Sequence, residues 1–113
     1  MTNRAINLPA GWRKVKRYCN DTYRTKDGRA YFEFRFVDVG SNFEIDIGQM
    51  PSYGNRSSNQ HKTHRLSSSR GGDRICVGDE SAIKSLSIAK KTAMAWAEQT
   101  WRYINTGIPF NNK

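Results

Sequence analysis

The chain contains no apolar run approaching the ~20 residues of a membrane-spanning helix, and among its 113 residues there are only two cysteines and three prolines. The first scarcity argues against a membrane as partner. The opening residues, Met1-Thr2-Asn3-Arg4-Ala5-Ile6-Asn7-Leu8, lack the continuous apolar core of a secretory signal, so a cytoplasmic protein is expected. In that reducing compartment Cys19 and Cys76 are expected as free thiols. No paired-cysteine motif is present, and His61 and His64 stand three apart. On the strand expected there they would point to opposite faces, which argues against a metal site and against joint acid–base work on one phosphate. No cofactor is expected, and neither an internal repeat nor a second domain is visible.

What the chain does have is charge of one sign and rings. The formal net charge is +9, and five Tyr, five Phe and three Trp stand against a hydrophobic fraction of 36%. A domain of this length buries about two-thirds of its unfolded surface, and here the core must be small and built on aromatic side chains. The charge is uneven. Residues 1–29 hold eight Lys or Arg against two Asp, whereas residues 30–50 hold one Arg against four acidic residues. A basic edge next to an acidic middle attracts nucleic acid or an acidic protein surface. The same lysines and arginines would also serve simply to protect an edge strand from pairing.

Periodicity supplies the fold. After a lead-in over 1–11, a first strand is expected from Trp12 to Tyr18 at the edge, followed by a polar turn region over 19–29 containing Lys26-Asp27-Gly28. Phe32, Phe34 and Phe36 alternate with Glu33 and Arg35, and Phe43, Ile45 and Ile47 alternate with Glu44 and Asp46, the period of half-buried strands. These three strands make an antiparallel meander over 12–47. An irregular crossing over 48–79 should carry two further short extended pieces, Lys62–Leu66 and Arg74–Val77. A helix is expected from Ser87 to Asn105, capped by Ser85 or Ser87 and ended by Gly107, with Ala89, Ala93, Trp96, Ala97, Thr100 and Ile104 on one face. Trp101 lies on its flank, and a tail occupies 108–113. The class is α+β: an antiparallel meander of three to four strands under one long C-terminal helix.

Within this frame Cys76 stands where a short strand ends and a loop begins, downstream of an arm with His61 and His64. A thiol held there near imidazoles and guanidinium groups can become a nucleophile. Between Ile75 and Val77 it can equally be small apolar filler. The order of parts resembles the ubiquitin-conjugating enzyme fold in its reduced bacterial forms. The parts are a meander, then Met50-Pro51-Ser52-Tyr53-Gly54, the arm His61 to Leu66, Arg74-Ile75-Cys76-Val77, and a helix ending Trp101-Arg102-Tyr103-Ile104-Asn105-Thr106-Gly107. The resemblance spans roughly residues 12–107. It implies that Cys76 accepts a ubiquitin-like modifier from an activating enzyme as a thioester. His64 would orient groups at the site, Arg74 would favour the thiolate, and Asp79 would draw an incoming lysine. The family's His-Pro-Asn signature is absent, since Arg65 and Leu66 follow His64, and its basic N-terminal helix is missing. A chain that keeps only the fold is the other form of this reading.

The alternative is a nucleic-acid-binding module. A three-stranded sheet backed by one helix can lay its outer face on a duplex, with Arg13, Lys14, Lys16, Arg17, Arg24, Lys26 and Arg29 contacting phosphates. Glu33, Glu44 and Asp46 on that face would repel the backbone across its centre.

Overall fold

Phe32, Phe34 and Phe36 point to one side of their strand and are all buried, while Glu33 and Arg35 on the other side are half-buried. The structure, a computed structural model, describes residues 9–110. Most of the expected lead-in, and residues 111–113 of the expected tail, lie outside the described residues. Five strands are seen among the described residues: β1 Arg17–Arg24, β2 Tyr31–Asp38, β3 Phe43–Ile47, β4 Arg65–Ser67 and β5 Asp73–Ile75. They form one antiparallel sheet in the order β1-β2-β3-β5-β4. The class is α+β, as periodicity indicates, with one strand beyond the three to four expected. β5 lies between β3 and β4, so the chain passes β5's place in the sheet and returns to fill it.

One helix, α1 (Leu86–Thr106), covers the phenylalanine side. Ser85 caps it by accepting the Ile88 N–H, and Gly107, at φ +76°, closes it with its N–H on the Tyr103 carbonyl at 2.8 Å. A residue with a Cβ is disfavoured in that left-handed conformation. Ala89, Ala93 and Ala97 lack bulk, so Trp96 reaches the sheet and meets Phe32 and Phe34 edge-on at 5.9 and 6.1 Å. Burying each such ring contributes about 1.5–3 kcal/mol. Tyr103 rather than Ile104 completes the buried face.

The first strand differs from expectation. Ala10–Trp12 is a 3-10 turn, and the strand begins at Arg17, running through the polar residues assigned above to a turn. The turn itself is confined to 25–30, where Thr25 exchanges hydrogen bonds with Ala30. Only Cys19 and Tyr23 of β1 pack against the core, so this edge strand carries almost no period-two hydrophobic signal. The residues before it lie against the sheet's other face. Arg35 on β2 stands 5.0 Å from the Trp12 ring and 5.5 Å from the Tyr18 ring. Gly11 packs so closely on Ser69 that a Cβ there would lie 2.0 Å from the Ser69 carbonyl oxygen.

Glu44 and Asp46 on that outer face are not left as bare charges. Arg70 reaches back from the β4–β5 loop, its side chain 1% exposed, and bridges Glu44 and Asp46 at 2.7 Å each. Ser68 adds a hydroxyl donor to Asp46 at 2.8 Å. Burial opposes the guanidinium's charge, but hydrogen bonds to Asp46 and Glu44 outweigh it and hold the Arg70 pKa above its ordinary value. One guanidinium thus offsets part of the repulsive centre expected of this face.

Candidate functional site: a basic cleft at the short-strand end

The loop between β3 and β4 is fastened to α1 at three points. The Trp96 indole donates to the Thr63 carbonyl at 3.0 Å, and the Tyr103 hydroxyl donates to the Ser57 carbonyl at 2.8 Å. Arg56 donates to the carbonyls of Ile104 and Asn105, where a cation meets the negative end of the helix dipole. Residues 59–64 form a helical turn rather than the expected strand: the Thr63 N–H and hydroxyl both bond the Asn59 carbonyl, and His64 N–H reaches His61. β4 starts only at Arg65.

These ties open a cleft of about 1350 Å3 between the loop, the end of β5 and the C-terminal end of α1. Arg56, His61, Lys62, His64 and Arg65 line it, with Asn55, Asn59, Gln60, Cys76, Tyr103 and Phe110 among the rest. No aspartate or glutamate is part of the lining among the described residues. Arg65 is partly spent, since it pairs with Asp73 at 2.6 Å, donates to the Thr63 hydroxyl at 2.8 Å and lies 5.0 Å from the Tyr53 ring. Burial pushes the Tyr53 phenol up against the opposing pull of the Arg65 charge. Lys62 and His61 are exposed. Because of the turn, His61 and His64 share this cleft, which removes the opposed-faces argument made for a strand.

Of the three residues assigned roles around the Cys76 thiol, only His64 shares the cleft with it. Cys76 follows β5 directly, is half-buried, opens on the cleft and donates its N–H to the His64 carbonyl at 2.8 Å. Asp79 and Arg74 go elsewhere. Asp79 caps the short 3-10 helix Glu80–Ala82, accepting from the Ser81 N–H at 3.1 Å and the Ser81 hydroxyl at 2.6 Å. Arg74 sits mid-strand on β5, paired in register with Asp46 and ion-paired to Glu80. Neither lines the cleft.

Of the basic residues singled out between 13 and 17, only Arg17 lies on the edge strand β1, and the others precede it. Arg13, Lys14, Lys16 and Arg17 are exposed, and Arg17 bonds Asp38 at 3.1 Å. Arg29 covers the Trp101 ring at 5.8 Å, while the Trp101 indole donates to Asp27 at 2.7 Å. Sequence reasoning passed over Arg56, Lys62 and Phe110. A Lys between two histidines in a proline-poor polar loop was the available signal. Among the described residues no group of three or more His, Cys, Asp or Glu could hold a metal ion, and no helix is long and apolar enough to cross a membrane. Compared with known families, with curated proteins and with solved structures, the chain matches none.

Proposed function

We propose that this protein binds nucleic acid, with the cleft as its principal site. One observation carries the reading: in a chain of net charge +9, the large cleft gathers Arg56, His61, Lys62, His64 and Arg65, with no aspartate or glutamate in its lining among the described residues. Phosphates neutralised there would release counterions, a sequence-independent source of affinity. The exposed residues Arg13, Lys14, Lys16 and Arg17, none of which lines the cleft, add a second, weaker field that steers a polyanion. A cytoplasmic setting, with Cys19 and Cys76 as free thiols, fits this reading. The test is fluorescence anisotropy of a labelled 20-mer. Affinity should drop at least about tenfold between about 50 and 200 mM salt, and Lys62→Ala should flatten the salt slope by about one unit. Absence of binding at low salt overturns the reading.

A second reading is favoured by a separate observation, that Cys76 opens on the cleft beside His64. In it Cys76 carries a ubiquitin-like modifier as a thioester, as the likeness to conjugating enzymes implies. Cys76→Ser would then abolish transfer from an activating enzyme while leaving the fold intact, and an unchanged yield would remove it.

A further inference from the structure

The cleft holds more than charge. The His64 ring lies nearly parallel to the Phe110 ring, 14° apart in plane with centroids at 5.0 Å. Phe110 in turn packs on Trp96 at 6.5 Å and Tyr103 at 6.0 Å, so the pair is anchored to the core through α1. His64 is also the one non-glycine residue with positive φ, +53°, among the described residues. A side chain with a Cβ adopts that conformation at a cost, and such positions persist where surrounding contacts over-determine them. Here the contacts are the Cys76 N–H on the His64 carbonyl at 2.8 Å and the Arg65 N–H on the Gln60 carbonyl at 2.9 Å. The strained backbone fixes where the imidazole stands, on an aromatic support at the cleft wall.

Resting on the nucleic-acid reading, we infer that the cleft takes a single strand and that one unpaired base stacks in line with His64 and Phe110. Flat rings beside cations make the stacking platform and electrostatic groove of single-strand binders, because every base offers a π-face. A base inside a duplex is already stacked on its neighbours and cannot enter. At about 1350 Å3 the cleft exceeds the ~300–1,000 Å3 of small-molecule pockets, as an extended chain requires. Lys62, exposed on the loop, is placed for the phosphates flanking that base.

The experiment compares four probes of one length on the intact protein: oligo-dT, oligo-U, an abasic deoxyribose-phosphate oligomer, and a duplex. Wild type should bind oligo-dT or oligo-U at least about tenfold more tightly than the abasic oligomer. His64→Gly, which relieves the positive φ while removing the ring, should erase that difference. His64→Phe, which keeps a ring without a charge, should retain it. Circular dichroism and thermal melts check that both variants fold. Equal binding of oligo-dT, oligo-U and the abasic oligomer, or duplex bound as tightly as single strand, overturns the base-stacking inference while leaving the phosphate reading standing. No binding of any probe removes both.

Discussion

The two halves of the sheet are built on different terms. β1, β2 and β3 are long, register residue by residue over eight and five pairs, and bury a row of phenylalanines under α1. β5 and β4 are three residues each, and β5 meets β3 through the single register pair Asp46–Arg74. The first half gains its stability from apolar area. The second is held by side chains reaching across: Arg70 onto Glu44 and Asp46, Arg65 onto Asp73, Trp96 onto Thr63, Tyr103 onto Ser57. Hydrogen bonds and ion pairs leave room that close-packed rings would fill, and the cleft occupies that room.

Substitutions can break this contrast. The largest effect is expected in the meander, where Phe34→Ala should cost about 4 kcal/mol, read as a drop in chemical-denaturation stability. A loss below about 1 kcal/mol would mean that the ring row is not the core. Arg70→Leu should follow at about 3 kcal/mol, because it strands Glu44 and Asp46 on a half-buried face. A neutral result would show that the network is dispensable and that the short strands hold by other means.

Lys62→Ala should sharpen the contrast from the other side. Unfolding free energy should stay within the roughly ±0.5 kcal/mol typical of exposed sites, while oligonucleotide affinity falls. A stability loss without a binding loss would make the cleft loop merely structural.

The smallest effect is a pH profile. Burial first, and then the hydrogen bond to the Glu98 carboxylate, push the Tyr23 phenol up to about 12 from an ordinary 10.0. The fold holds the neutral phenol, so its contribution is complete below about pH 10 and is lost as pH rises through about 12. Stability curves of wild type and Tyr23→Phe should therefore converge over that window, and parallel curves would contradict the assignment.

The same contrast governs what could be read in advance. β2, β3 and α1 announce themselves because one face of each is buried, which imposes periods of two and of 3.6 on Phe32–Phe36, Phe43–Ile47 and Ala89–Thr100. β1 does not, since an edge strand with only Cys19 and Tyr23 on the core leaves its other positions to polar residues, and the charges at 13–17 imitate a strand. Three-residue strands carry no period at all, so the placing of β5 between β3 and β4 was not legible. Arg70 was hidden in a Ser- and Gly-rich run. Its signal was indirect, two carboxylates at 44 and 46 on a sheet face with no cation of their own strand to answer them. His64 was picked out as a site residue for its imidazole. Its partner Phe110, 46 residues further on, could be paired with it only by the fold.

The central claim, that nucleic acid engages the short-strand end, is tested most directly by amide chemical-shift mapping of the labelled protein during titration with oligo-dT. The largest shifts should fall at residues 55–66, 76–78 and 107–110, with weaker ones along 13–17. Shifts confined to the β1 edge and residues 13–29, with the cleft silent, would contradict the account.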